Sequence, residues 1–131
     1  MSTLSLQSFQ EQVSELLLRH RSLLDVLSKN GQSNSSVIRS VTKAVTECGC
    51  IELHATKQTF EPSFNLEQAK EVVGKHVQGE LCENCKEAIS AELGRNLFYM
   101  SALCNLLDIN MDEVVERESK KCSTLGLFNL S

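Results

Sequence analysis

Two cysteine pairs, Cys48-Gly49-Cys50 and Cys82-Glu83-Asn84-Cys85, restrict the fold of this 131-residue chain more than any other feature. They are separated by the 31 residues from Ile51 to Leu81. A two-residue gap lets two thiolates reach one tetrahedral ion. A one-residue gap with a permissive glycine can deliver a second pair, and zinc to sulfur distances of about 2.3 Å then demand that the two pairs abut. Cys82 falls where a long helix is expected to begin, and helix N-terminal amides favour the thiolate form. We therefore expect Cys48, Cys50, Cys82 and Cys85 to hold one structural metal ion that braces helix ends. His76, six residues before Cys82, is the alternative ligand and His54 a weaker one. Four thiolates serve zinc and iron–sulfur chemistry alike, with zinc favoured on general grounds. A closed four-thiolate site leaves no open coordination position, so its role would be structural.

Six cysteines would suit a disulfide framework in a secreted domain, but Met1 to Gln10 lacks the basic start and apolar run of an export signal. The expectation is a cytoplasmic protein whose cysteines serve metal, thiol or redox chemistry. An exchangeable Cys82/Cys85 dithiol is the redox alternative, although the βαβ context of thioredoxin-like proteins is missing. With 41% apolar residues the chain is expected to form a single helical domain spanning residues 1–131. Thirteen basic against seventeen acidic side chains give a net charge of −4, which disfavours nucleic-acid coating. No run approaches the roughly 18 apolar residues that a membrane span needs.

Apolar positions Leu6, Phe9, Val13, Leu16, Leu17, Leu24 and Leu27 recur at helical spacing and predict one long amphipathic helix over residues 6–27. Lys29 to Ser35, with its Asn30-Gly31 step, predicts a turn, after which Val37, Ile38, Val41, Ala44 and Val45 predict a second helix running into Cys48. Ile51 to Pro62 reads as mostly loop: Ile51, Leu53, Ala55 and Thr59 allow a short extended segment, but one strand alone cannot form a sheet. Asn65 caps a short helix to about Lys75, carried by Leu66, Ala69, Val72 and Val73. Residues 80–107 form the strongest segment: Ile89, Leu93, Leu97, Met100, Cys104 and Leu107 share a stripe, and Ala88, Phe98 and Leu106 place apolar groups elsewhere on the cylinder, as in a central helix. Asp108-Ile109-Asn110 breaks it, and Asn110 with Glu113 has the spacing of a capping box for a last helix, with Val114, Val115 and Cys122 on its inner face. Cys104 and Cys122 read as core thiols. The apolar tail from Leu125 to Leu130 is expected to dock on its own chain or on a second subunit.

On the central helix Glu92, Arg95, Asn96 and Tyr99 fall on one side, flanked by Leu103. A carboxylate, guanidinium, amide and phenol together could recognise a phosphate or hold a metal, or could be a satisfied intrahelical polar stripe. Glu80, Glu83 and Glu87 form a separate acidic strip near the helix start, and Arg19-His20-Arg21 a positive cluster. No glycine-rich phosphate loop, nucleophile elbow or HExxH sequence is present, which argues against several enzyme classes.

The stretch from Glu92 through Leu93-Gly94-Arg95-Asn96-Leu97-Phe98-Tyr99-Met100 to Val114 resembles the metal-binding helix and following cap of MazG-like nucleotide pyrophosphohydrolases, over roughly the last fifty residues. The resemblance implies an all-helical fold and, in an active member, magnesium held by an ExxD pair joined to a preceding ExxE pair. Glu92 matches the first position of the former and is the candidate catalytic residue. Arg95 stands at the aspartate position, where a cation repels the metal. Glu80 and Glu83 mimic ExxE, but Glu83 lies nine residues before Glu92, pointing about 180° away on one helix. The whole chain is also similar to a bacterial family of no assigned activity.

The expectation is an all-α, MazG-like bundle of four to five helices with a zinc site at its helix ends, dimeric, and acting as a non-catalytic binding or regulatory module for a ligand such as a nucleotide. An active magnesium-dependent pyrophosphohydrolase using Glu92 and a thiol-based redox or metal sensor are the alternatives.

Overall fold

The computed structural model describes residues 4–16, 22–58, 61–63, 65, 67–68 and 74–125. Helices dominate: α1 spans Leu6–Leu16, α2 Leu23–Lys43, α3 Glu83–Leu106 and α4 Met111–Leu125. One π-turn, Ala44–Cys48, extends α2, and two short strands, β1 (Ile51–Leu53) and β2 (Val77–Gly79), form an antiparallel pair. By its contacts the chain divides into two compact units, Met1–Ile38 with Ser90–Ser131, and Arg39–Ile89. None of the described helices is long and apolar enough to cross a membrane.

In the first unit Ser5 caps α1, its hydroxyl accepting from the Ser8 N–H at 3.0 Å. Phe9, Gln10 and Val13 turn inward from this helix, and Val13, Val26 and Ala102 form the buried centre, with Phe9, Phe98 and Leu103 packed around it. The single helix expected over residues 6–27 is instead two. Ser22 begins α2, its carbonyl accepting from Val26 N–H at 3.0 Å, and Val26 faces the core while Leu24 and Leu27 face solvent. The apolar stripe had merged two faces. Arg19, His20 and Arg21 lie outside the described residues.

The turn expected at Asn30-Gly31 is absent, and α2 runs through it. Positions Val26, Asn30, Ser33, Val37, Ser40 and Ala44 alternate at spacings of four and three, and every one of them is buried or half-buried. That inward stripe is continuous across the Asn-Gly step, so packing overrides local turn chemistry. Gly31 sits mid-helix with open space where a Cβ would stand. Gly31→Ala is therefore expected to raise stability by about 1 kcal/mol, read as a later midpoint in urea denaturation, because alanine restricts the unfolded chain without meeting a neighbour.

α3 ends as expected. Asp108 takes the left-handed conformation (φ 59°), letting the Ile109 N–H reach the Cys104 carbonyl at 2.9 Å. Asn110 then caps α4, its side-chain oxygen accepting from the Glu113 N–H at 3.2 Å. The side chain of Gln10 joins the two helices: its Nε2 donates to the Ile109 carbonyl at 2.7 Å and its Oε1 accepts from the buried Met111 N–H at 3.0 Å. The expected inner face of α4 is corrected. Val114, Val115 and Cys122 are exposed, and the helix buries only Met111 among its described side chains. The turn that sets the course of α4 is held by polar bonds to α1, and these do not oblige the valine face to pack. Cys104 is half-buried. The apolar tail beyond Leu125 lies outside the described residues.

In the second unit Ala44, Ile51 and Ile89 form a small core with Val45, Cys50 and Cys85 against it. Residues 51–53, read as loop from the sequence, form a strand because Val77–Gly79 returns to pair with it in the register Ile51 to Gly79 and Leu53 to Val77. Asn65 does act as a cap, exchanging bonds with Gln68 in both directions at 3.0 and 2.8 Å. Leu66, Ala69, Val72 and Val73 of the helix expected there lie outside the described residues.

Candidate metal centre

Three elements bring the four cysteines together. The π-turn carries Cys48 and is closed by Gly49, whose left-handed φ of 76° lets its N–H bond the Ala44 carbonyl at 2.9 Å. Reversing the chain within one residue turns Cys50 toward the core, directly ahead of β1. The strand register then sets the second pair: Gly79 stands opposite Ile51, and three residues later Cys82 precedes α3. Gly79 is itself required, since its φ is 90° and a Cβ there would lie 2.5 Å from the Cys50 carbonyl oxygen.

The outcome is one group of four sulfurs, all within 4.8 Å of one another, which could hold a metal ion. Cys48 Sγ and Cys82 Sγ are 3.7 Å apart, beyond a disulfide, and all six cysteines are free. The edge of a tetrahedron with metal–sulfur bonds of about 2.3 Å is about 3.8 Å, so this separation already matches the one a tetrahedral ion requires.

Electrostatics in the cluster also fit a cation. The Cys85 N–H donates to Cys82 Sγ at 3.4 Å, as expected at a helix start, and this bond together with the Cys85 thiol lowers Cys82 from 9.0 to about 7. Cys85 is pushed up to about 12, first by Cys82 beside it and then by burial. Four sulfurs this close cannot all ionise unless a cation replaces their protons. In metal-free protein, alkylation should therefore reach Cys82 first. Its thiolate fills as pH rises through about 7 and empties below it, so its rate should climb there while Cys104, raised by burial, lags. Peptide mapping after brief iodoacetamide exposure at several pH values measures this, and equal labelling of the two would contradict it.

Neither histidine enters the cluster. The Gln58 side-chain amide donates to His76 Nε2 at 2.9 Å and ties Gly74 through both its amide atoms, while His54 Nε2 meets Glu52 at 3.1 Å. Among the described residues the cysteine set is also the one group whose ligand atoms converge in this way. Glu80, Glu83 and Glu92 gather no comparable set.

The polar face of α3 divides its work. Asn96 donates to Ser33 Oγ at 3.1 Å, and that hydroxyl donates in turn to the Asn30 carbonyl at 3.0 Å, a structural link to α2. Glu92 Oε2 is shielded from solvent, accepts no hydrogen bond and has Arg95 Nη1 at 3.8 Å as its ion-pair partner. Arg95 and Tyr99 line a small cavity of about 160 Å³ with Lys29, Gln32, Ser33 and Ser36. The α2 side of this cavity was missed from the sequence because Lys29 to Ser35 read as a turn. Its one-turn spacings, Lys29 to Gln32 to Ser36, were the available signal. No family model, curated protein or solved structure matches the chain.

Proposed function

We propose that this protein is a zinc-braced helical binding module in which Cys48, Cys50, Cys82 and Cys85 hold one structural ion. The observation that carries the reading is the 3.7 Å approach of Cys48 and Cys82 inside a group no wider than 4.8 Å. An iron–sulfur cluster interposes several iron and sulfide atoms and holds its four thiolates farther apart, so the spacing favours a single ion. Zinc there neutralises the crowded thiolates and fastens the end of α2, the strand pair and the start of α3. With four protein ligands it has no open position for a substrate.

The binding role rests on the cavity beside Arg95. Lys29 and Arg95 supply positive charge, Ser36 and Tyr99 hydroxyl groups, and the space suits one phosphate-sized group. The likeness of residues 92–114 to MazG-like proteins favours a nucleotide as the carrier of that group. Glu92 is engaged by Arg95, and the reading is therefore non-catalytic. Elemental analysis of untagged protein should find close to one zinc per chain and negligible iron. Calorimetric titration with nucleotides, with and without magnesium, should show binding that weakens in Arg95→Ala. Magnesium-dependent hydrolysis of a nucleoside triphosphate, abolished by Glu92→Gln with the fold intact, would overturn the non-catalytic assignment in favour of a pyrophosphohydrolase.

A further inference from the structure

We propose that the cavity between α1 and the end of α3 binds a short aliphatic diamine. The proposal is independent of the zinc site and of the cavity beside Arg95. Both walls belong to the first unit: α1 contributes Gln10, Glu11 and Ser14, while the last turn of α3 and the residues after it contribute Cys104, Asn105 and Asp108. They surround a space of about 280 Å³. Small-molecule sites begin at roughly 300 Å³, so this one suits a ligand of a few heavy atoms.

Hydrogen bonding decides what the cavity has left to offer. The buried Gln10 amide is engaged at both atoms, by the Ile109 carbonyl and the Met111 N–H. Asn105 Nδ2 donates to the Gln10 carbonyl at 3.0 Å, and Asn110 Nδ2 donates to Gln7 Oε1 at 3.1 Å. These bonds fix the walls and occupy amide donors that could otherwise have answered the carboxylates. Glu11 and Asp108 have no ion-pair partner among the described residues, and no lysine, arginine or histidine lines the cavity. Asn105 Oδ1 and the Ser14 hydroxyl add neutral acceptors. Cys104 and Asn105 stand in the last turn of α3, so the negative end of that helix dipole lies here too. Burial raises the Cys104 thiol and keeps it neutral.

The ligand that complements such a space donates hydrogen bonds and carries positive charge. A bare metal ion does not fit. Among the described residues the four cysteines are the one group whose ligand atoms converge, so Glu11, Cys104 and Asp108 form no cage around an ion. A cation whose charge is divided between two ends meets carboxylates on two separate elements without requiring them to converge. Each end of a diamine is protonated at neutral pH and offers three N–H donors. Two ends balance Glu11 and Asp108, and the methylenes between them lie against Cys104 and Ile109.

Titration of the full chain with 1,4-diaminobutane, followed by amide NMR shifts and calorimetry, should show one diamine bound per chain with a Kd of about 0.1–1 mM at low salt. The shifts should centre on residues 7–14 and 104–110, and the affinity should fall as salt is added. Butylamine, with a single ammonium like that of a lysine side chain, should bind about tenfold more weakly, and uncharged butane-1,4-diol should not bind. Glu11→Gln and Asp108→Asn should each weaken the diamine about tenfold and remove its advantage over butylamine. Both variants should fold, because Glu11 is exposed on α1 and asparagine tolerates the left-handed conformation of Asp108. The proposal is overturned by the lack of saturable binding below about 10 mM, by shifts confined to other residues, or by butylamine binding as tightly as the diamine. It is equally overturned by affinity unchanged in both variants, or by magnesium binding these residues more tightly than the diamine does.

Discussion

Stripping the metal with a strong chelator is expected to lower the melting temperature by roughly 10 °C or more and to unravel the unit around the cysteines first. The buried centre of that unit is Ala44, Ile51 and Ile89, with Cys50 and Cys85 themselves among the groups packed against it. A core so small gains more from a cross-link than a large one does. The link also joins segments far apart in the chain, so its loss restores conformational freedom to everything between Cys50 and Cys82. The response to acid has a definite sign. Each sulfur must shed a proton to bind, and Cys85, pushed up to about 12 without metal, gives up its proton least readily, so metal affinity falls steadily as pH is lowered. Cys82→Ser should abolish tight binding of one ion and reproduce the chelated melting curve. Cys122→Ser, at an exposed position that is not one of the four clustered cysteines, should bind and melt like the parent. A melting curve unmoved by verified removal of the ion would refute a bracing role.

Gln10→Ala is expected to cost about 2–3 kcal/mol, a fall in melting temperature of about 10 °C. Gln10 is only 8% exposed, and its amide satisfies both the Ile109 carbonyl and the buried Met111 N–H at the step from α3 to α4. Truncation leaves that N–H without a partner, so the loss includes its desolvation as well as two hydrogen bonds. Gln10→Glu discriminates bonding from packing. An ionised carboxylate can accept from Met111 but faces the Ile109 carbonyl with no donor, whereas the protonated acid can donate. That variant should therefore regain stability relative to the parent as pH falls through its raised pKa. Urea denaturation at two pH values measures both effects, and a loss in Gln10→Ala within 0.5 kcal/mol, about the scatter of surface substitutions, would show that the bridge contributes nothing.

How much of this was legible depended on how local each signal was. The break at Asp108 and the cap at Asn110 lie within four residues of the groups they serve and were read correctly. Asn30-Gly31 was equally local and misleading, because the stripe from Val26 to Ala44 outweighs one turn preference only when partners bury it. The strand at Ile51–Leu53 was missed for the converse reason. Its partner lies beyond a long connection with no hairpin turn signal, and a three-residue strand has no pattern of its own. Gln10 could have been flagged, since it sits between Leu6 and Val13 at helical spacing and so faces the core, but its two partners are a hundred residues away. Val114 and Val115 show the limit of periodicity, which identifies an apolar face without saying whether the same chain covers it.

The amino-acid sequence by itself determined the helical class, the boundary between the last two helices and the four cysteines as one set, because helical spacing, capping and ligand gaps act over a few residues and need no distant partner. Only the tertiary structure decided that Ile51 pairs with Gly79, that Cys48 and Cys82 come within 3.7 Å, and that Gln10 secures the turn into α4. Each of these joins residues more than twenty-five positions apart, and such contacts exist only once packing has offset the entropy of closing the loop between them.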